Sequence, residues 1–95
     1  MYYLLFYDTV PDYLERRKPY RQEHLARAEK AHQDGLLVMA GALKPPEGAV
    51  LICRAQSETE VSDFAKSDPY VKNGIVKSWR VREWAVAIGG EGSAP

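Results

Sequence analysis

RQEHLARAEKAHQDGLLVMAG, residues 21–41, changes its periodicity partway along, and that change decides the fold. At about 100° per residue, the stretch from Pro19 to Asp34 puts Tyr20, Arg21, His24, Leu25, Ala28, Ala31 and His32 on one side, opposite Glu23, Arg27 and Lys30. This predicts an amphipathic helix beginning near Pro19. Its inner face is mostly alanine and histidine, so the helix is expected to lie close to the sheet it covers. Gly35 is suited to close the helix in a left-handed C-terminal cap, and Leu36–Leu43 then reads as a strand.

Upstream, Tyr2–Tyr7 is an almost wholly apolar, aromatic-rich run that predicts a first strand buried on both faces. Asp8, Thr9, Pro11 and Asp12 break it, and Tyr13–Lys18 has room for a helical turn before Pro19. Downstream, KPPEG at 44–48 is a connecting loop, and Ala49–Ala55 runs apolar again, so the two middle strands are expected to pair as a hairpin. Ser57-Glu58-Thr59-Glu60 has the form of a capping box, in which the Ser57 hydroxyl and the Glu60 carboxylate each satisfy the other's backbone donor. The second helix therefore begins at about Glu58, with Val61, Phe64 and Ala65 inward. Asp68-Pro69-Tyr70 stops it, because the residue before proline is driven out of the helical region; Asp68 is a candidate cap for a short turn ending at Asn73-Gly74. Trp79, Val81, Trp84, Val86 and Ile88 mark a long last strand over Ile75–Ile88.

The order β, α, β, β, α, β is the split βαβ arrangement of an α+β, ferredoxin-like fold: a four-stranded antiparallel sheet with two helices on one face. Apolar residues stand at both parities of the first and third strands (Tyr2, Leu4, Phe6 against Tyr3, Leu5, Tyr7; Val50, Ile52 against Leu51, Cys53). The face without helices is therefore expected to meet a second sheet, in a homodimer. Residues 1–88 are read as one domain and 89–95, ending GGEGSAP, as a flexible tail.

Lysine and arginine number 13, and so do aspartate and glutamate, which removes the electrostatic footprint of a nucleic-acid binder or a membrane-surface helix. Cys53 is the single cysteine and has no intrachain disulfide partner; inside AVLIC it reads as a small buried hydrophobe. With no signal-peptide pattern at MYYLLFYD and no run long enough to span a bilayer, the expected setting is the cytoplasm.

The spacing Arg21-x-x-His24-Leu25-Ala26-Arg27, with Asp34-Gly35-Leu36-Leu37, Ala40-Gly41, Asp68-Pro69-Tyr70-Val71 and Gly74, resembles the YciI-like family across nearly the whole ordered chain. The resemblance implies a small ferredoxin-like dimer related to the dimeric α+β barrel proteins. It also implies a pocket centred on a histidine and an aspartate, which here are His24 and Asp68. Family members typically carry a longer insertion between the middle strands, ending in a Gly-Ser or Gly-Ser-Thr element. The connection here is KPPEGAVLIC, without serine or threonine, which implies a more open pocket mouth.

Among individual residues, His24 is the strongest candidate for chemistry, because an imidazole with an ordinary pKa of about 6.5 exchanges protons at cellular pH. A carboxylate on its far nitrogen would fix the tautomer; Asp68 is proposed for this, with Asp8, at the end of the first strand, as a competitor. The structural alternative is a buried polar bridge tying the first helix to the end of the second. Arg21, one turn before His24, is suited to hold a substrate oxygen, and the Tyr70 hydroxyl is a further candidate ligand contact. His32 lies about 12 Å along the helix from His24 and about 80° round it, so the two cannot share a metal, and no other metal-ligand spacing occurs. Tyr3, Tyr7, Trp79 and Trp84 read first as interface residues.

These residues suggest an enzyme without metal or redox cofactor, an isomerase or lyase that moves a proton on a ring-containing small molecule through His24. The resemblance adds relatives that act in aromatic breakdown. A non-catalytic metabolite-binding or accessory dimer is the alternative. A cofactor-free oxygenase is a third reading, for which no residue provides a specific sign.

Overall fold

The computed structural model describes residues 1–90, and the last five residues of the expected tail lie outside that range. Eight regular elements and one 3₁₀ turn follow in order: β1 (Tyr2–Thr9), α1 (Tyr13–Arg16), the 3₁₀ turn Lys18–Tyr20, α2 (Arg21–Gln33), β2 (Leu37–Ala42), β3 (Gly48–Arg54), α3 (Glu58–Lys66), α4 (Pro69–Lys72) and β4 (Val76–Trp84). The strands form one sheet in the order β2-β3-β1-β4, every neighbouring pair antiparallel. Together with the two main helices, α2 and α3, this is the ferredoxin-like α+β arrangement.

Alternation along β1 sorts its side chains. Tyr3, Leu5 and Tyr7 are buried in the core with Leu51, Cys53, Val61 and Ala65, whereas Tyr2, Leu4 and Phe6 on the other face are only half-buried. Within the single chain the expected burial on both faces is complete on the helix-covered side, and the other side is the face on which a second sheet was expected. On the helix-free face, Arg80 lies over the Phe6 ring at 4.5 Å and Arg54 over Tyr2 at 5.9 Å, their stems covering apolar surface. Thr9 continues the same alternation to the buried side, past a register shift against β4 between Asp8 and Thr9.

Gly35, at φ 88°, ends α2: its N–H bonds to the His32 carbonyl, and the Leu36 N–H reaches the Ala31 carbonyl. This crossed pair is a left-handed helix terminus that a residue with a Cβ adopts only at a cost. Gly48 is needed for a different reason, since a Cβ there would sit 2.5 Å from the Tyr7 carbonyl oxygen of the adjacent strand.

Three local expectations are corrected. Ser57 makes no side-chain cap; the Glu60 carboxylate instead accepts the Gln56 N–H at 3.3 Å, one residue further back than a capping box requires. The last strand stops at Trp84, level with Tyr2, the first residue of its partner β1, and does not run on to Ile88. Close packing of α2 on the sheet holds only near its C-terminal end, where Ala31 is buried; Leu25 remains 47% exposed. Towards its N-terminal half, small residues on both sides leave a cavity. Among the described residues, no helix is long and apolar enough to cross a membrane.

Candidate active site

The cavity holds about 280 Å³ between the N-terminal half of α2 and the sheet. Its floor is made of small or apolar strand residues, Ala40, Gly41, Ala42, Gly48, Ala49 and Leu51; Leu25 and Ala28 of α2 cover it. This lies at the small end of the ~300–1,000 Å³ typical of ligand pockets, a size suited to one ring.

Asp68 anchors its polar end. Pro69 holds the preceding residue extended (φ −68°, ψ 126°), so Asp68 caps α4 and its Oδ1 accepts the Tyr70 N–H at 2.9 Å. The Tyr7 hydroxyl, rising from the centre of the sheet, donates to Oδ2 at 2.7 Å, and His24 Nδ1 lies 2.9 Å from Oδ1. Asp68 is 1% exposed. Burial pushes its carboxyl pKa up, but the bond and charge of His24, with the bonds from Tyr7 and the Tyr70 amide, outweigh this and hold it below the ordinary value. The carboxylate is therefore ionised. An ionised carboxylate has only acceptor sites, so Nδ1 carries the proton between it and His24. Nε2 is then the basic nitrogen, and no protein group bonds it among the described residues.

Tyr7 is driven the other way. Burial, then the charge and bond of Asp68, raises its hydroxyl far above the ordinary tyrosine value, so it acts as a fixed donor. The imidazole stacks on the Tyr70 ring, 3.7 Å between centroids and 3° from parallel, and only 19% of its side chain is exposed. Carboxylate and ring stack together fix both the position and the rotation of His24.

Arginines frame the opening. Arg27 lies 4.9 Å over the Phe64 ring and donates through Nη2 to the Ser67 hydroxyl (2.6 Å) and the Phe64 carbonyl (3.3 Å), joining α2 to α3. Arg17 lies 5.1 Å over Tyr13. Burial raises the Tyr70 hydroxyl pKa, while Arg21 and Arg17 pull it down. Arg21 approaches that hydroxyl without reaching hydrogen-bond geometry, and the oxygen is left buried and unpartnered.

The fold thus brings His24, Asp68, Arg21 and Tyr70 to one cavity, but not Asp8. One residue after Tyr7, Asp8 points to the opposite face, is exposed, and accepts a bond from the Ser78 hydroxyl at 2.9 Å. His32 also lies outside the cavity, its Nδ1 2.8 Å from the Leu37 carbonyl across the Gly35 turn. Among the described residues, no three of His, Cys, Asp or Glu converge in a metal-binding group. Tyr7, assigned first to an interface, belongs to the site instead. With apolar residues at both parities of β1, periodicity had no means of setting it apart from Phe6.

A four-stranded antiparallel sheet with its helices on one face, and a small cavity between, defines a ferredoxin-like α+β protein with a ligand-sized site. The chain belongs to the YCII-related domain family, whose model matches residues 1–85. It is 32% identical over 85 residues to an uncharacterized protein of Haemophilus influenzae, covering 79% of this chain and 87% of that protein. To Protein YciI of Escherichia coli O6:H1 it is 28% identical over 92 residues, covering 86% and 94%. Among solved structures it is similar to 5-chloro-2-hydroxyhydroquinone dehydrochlorinase (TftG) from Burkholderia phenoliruptrix AC1100, in complex with 2,5-dihydroxybenzoquinone. That similarity has a TM-score of 0.76 at 27% identity over 88% of this chain and 93% of that one. A putative antibiotic biosynthesis monooxygenase from Deinococcus radiodurans shares the fold, with a TM-score of 0.54 at 14% identity over 97% of this chain and all of that one (100%).

Proposed function

We propose that this protein is a small-molecule enzyme in which His24 moves a proton on a ring-containing substrate, Asp68 orients the imidazole, and Arg21 and Tyr70 contact the substrate. The observation that carries this reading is the 2.9 Å bond from His24 Nδ1 to an ionised, buried carboxylate. It leaves Nε2 as the basic nitrogen of a side chain lining the cavity. A proton taken from the substrate leaves its electron pair behind. That pair either expels a leaving group with the bonding electrons, an elimination, or shifts along the ring and is reprotonated elsewhere, an isomerisation. Neither outcome needs a nucleophile, a metal or a redox cofactor. The similarity to a dehydrochlorinase holding a quinone supports the elimination, since loss of HCl is one.

The working unit in this reading is a cytoplasmic homodimer of the 1–88 domain, with two helix-free faces packed together. Half-buried Tyr2, Leu4, Phe6, Val50 and Ile52, with exposed Met39 and Trp84, support that packing. Sedimentation should show a dimer at micromolar concentration, and a stable monomer would remove it.

Turnover is the functional test. Incubation with hydroxylated rings, 5-chloro-2-hydroxyhydroquinone among them, and with lactones should convert at least one to a product of changed mass or isomeric form. One observation favours a second reading, a metabolite-binding module: the His24–Asp68 bond also ties α2 to the start of α4, as a purely structural bridge would. That reading predicts saturable binding with every ligand recovered unchanged.

A further inference from the structure

Two of the residues that line the cavity carry a buried hydroxyl with no hydrogen-bond partner. Thr9 Oγ1 and the Tyr70 hydroxyl are both buried and unbonded, with their residues 8% and 5% exposed. Buried hydroxyls are nearly always satisfied, so a pair left open on one cavity says what is missing from it. The same wall carries Arg17 and Arg21, and among the described residues no carboxylate pairs with either. A guanidinium can only donate, and a hydroxyl can donate. Asp68, the one carboxylate lining the cavity, already takes three donors. Three guanidiniums, those of Arg17, Arg21 and Arg27, therefore face a single committed negative charge in a chain whose formal net charge is zero. The charged side chains lining the cavity are thus positive on balance, which favours anions there. Leu51, Val76, Ala42 and Ala49 line the cavity without offering polar side chains, and suit the flat body of a ring.

We infer that the cavity takes a single-ring organic anion, its negative oxygen held by Arg21 and Arg17 with the Thr9 and Tyr70 hydroxyls as additional donors. This deepens the enzymatic reading and rests on the same cavity being its ligand site. Thr9 becomes a binding residue that neither spacing nor residue chemistry singled out. The charge can sit on a ring carboxylate or on an acidic ring hydroxyl, and both present the acceptors that the wall lacks.

The two readings can fail separately. Turnover of neutral rings without preference for anions would remove the anion subsite alone. Preference for anions without turnover of any substrate would remove the catalysis alone.

The test is calorimetry on the full chain at low ionic strength with salicylate, with salicylamide of nearly the same shape but no charge, and with 2,5-dihydroxybenzoquinone, whose acidity lies on ring hydroxyls. At least one anion should bind roughly tenfold or more tighter than salicylamide, with the gap shrinking in salt. Tight binding of salicylate alone assigns a ring carboxylate, and of the quinone alone a ring oxyanion. Arg21→Gln should weaken the bound anion about tenfold while leaving salicylamide within about twofold. Thr9→Val, which keeps the shape and removes the hydroxyl, should weaken the anion about threefold or more without lowering the ligand-free melting temperature. The inference is overturned if neither anion binds better than salicylamide, the result expected if water alone satisfies these hydroxyls, or if Arg21→Gln leaves anion affinity unchanged.

Discussion

Tyr7→Phe isolates the donor that joins the sheet to Asp68. The ring fits as before and one oxygen disappears, so no cavity of consequence opens. What is lost is a buried 2.7 Å bond to an ionised acceptor. Bonds to charged groups contribute about 1.5–3 kcal/mol, and a domain of this size loses about 4–8 °C per kcal/mol, so the melting temperature should fall by on the order of 10 °C at neutral pH. The effect should depend on pH with a definite sign. Asp68 has a folded-state pKa below its ordinary carboxylate value of about 3.9, so the stability from its ionised bonds is fully present above that value. It is lost as pH falls through the lower, folded-state value. Removing Tyr7's contribution raises the folded-state value towards the ordinary one, so the variant should unfold in acid at a higher pH than the parent. Their melting temperatures should converge once Asp68 is protonated in both. Circular dichroism melts from neutral to strongly acidic pH follow all of this. A neutral-pH difference under about 2 °C, or one constant across the range, would refute the argued role of the charged bond.

Asp68→Asn keeps the volume and the cap but removes the charge that fixes the His24 tautomer; kcat should fall about 10²-fold or more with KM changed little, as steady-state kinetics would show. Gly48→Ala places a methyl 2.5 Å from the Tyr7 carbonyl oxygen, so the strands must separate. It should cost about 1–3 kcal/mol in denaturant unfolding. The Cys53 thiol is fully buried, and burial pushes its pKa up to about 11. Iodoacetamide at mildly alkaline pH should leave the folded chain unmodified by mass and label it after denaturation.

The order of elements was legible because its signals are local. The period along Arg21–Gln33, the glycine at 35 and the proline at 69 act within a turn of chain, and Asp68 caps α4 through its immediate neighbours. What was not legible depends on distant backbone. The end of β4 at Trp84 falls level with the start of β1 at Tyr2, a register that only the paired strands reveal. Tyr7 rather than Phe6 reaches Asp68 because of which face the helices cover, and apolar residues at both parities of β1 hide that choice. The same alternation settles Asp68 over Asp8 as the carboxylate beside His24. The resemblance implied a pocket at His24 and Asp68, but the alanine face of α2 could not show it, since alanines fit close packing as well as they fit a cavity wall; only the placement of the helix separates the two.

The most direct test of the central claim is single-turnover kinetics of His24→Gln beside the parent, on whichever ring substrate the parent converts. Glutamine keeps an amide donor for Asp68 but has no nitrogen able to take up a proton. The account predicts a variant that folds, still binds the ring ligand, and transfers the proton at least about 10²-fold more slowly. A folded variant that turns the substrate over at the parent rate would contradict it.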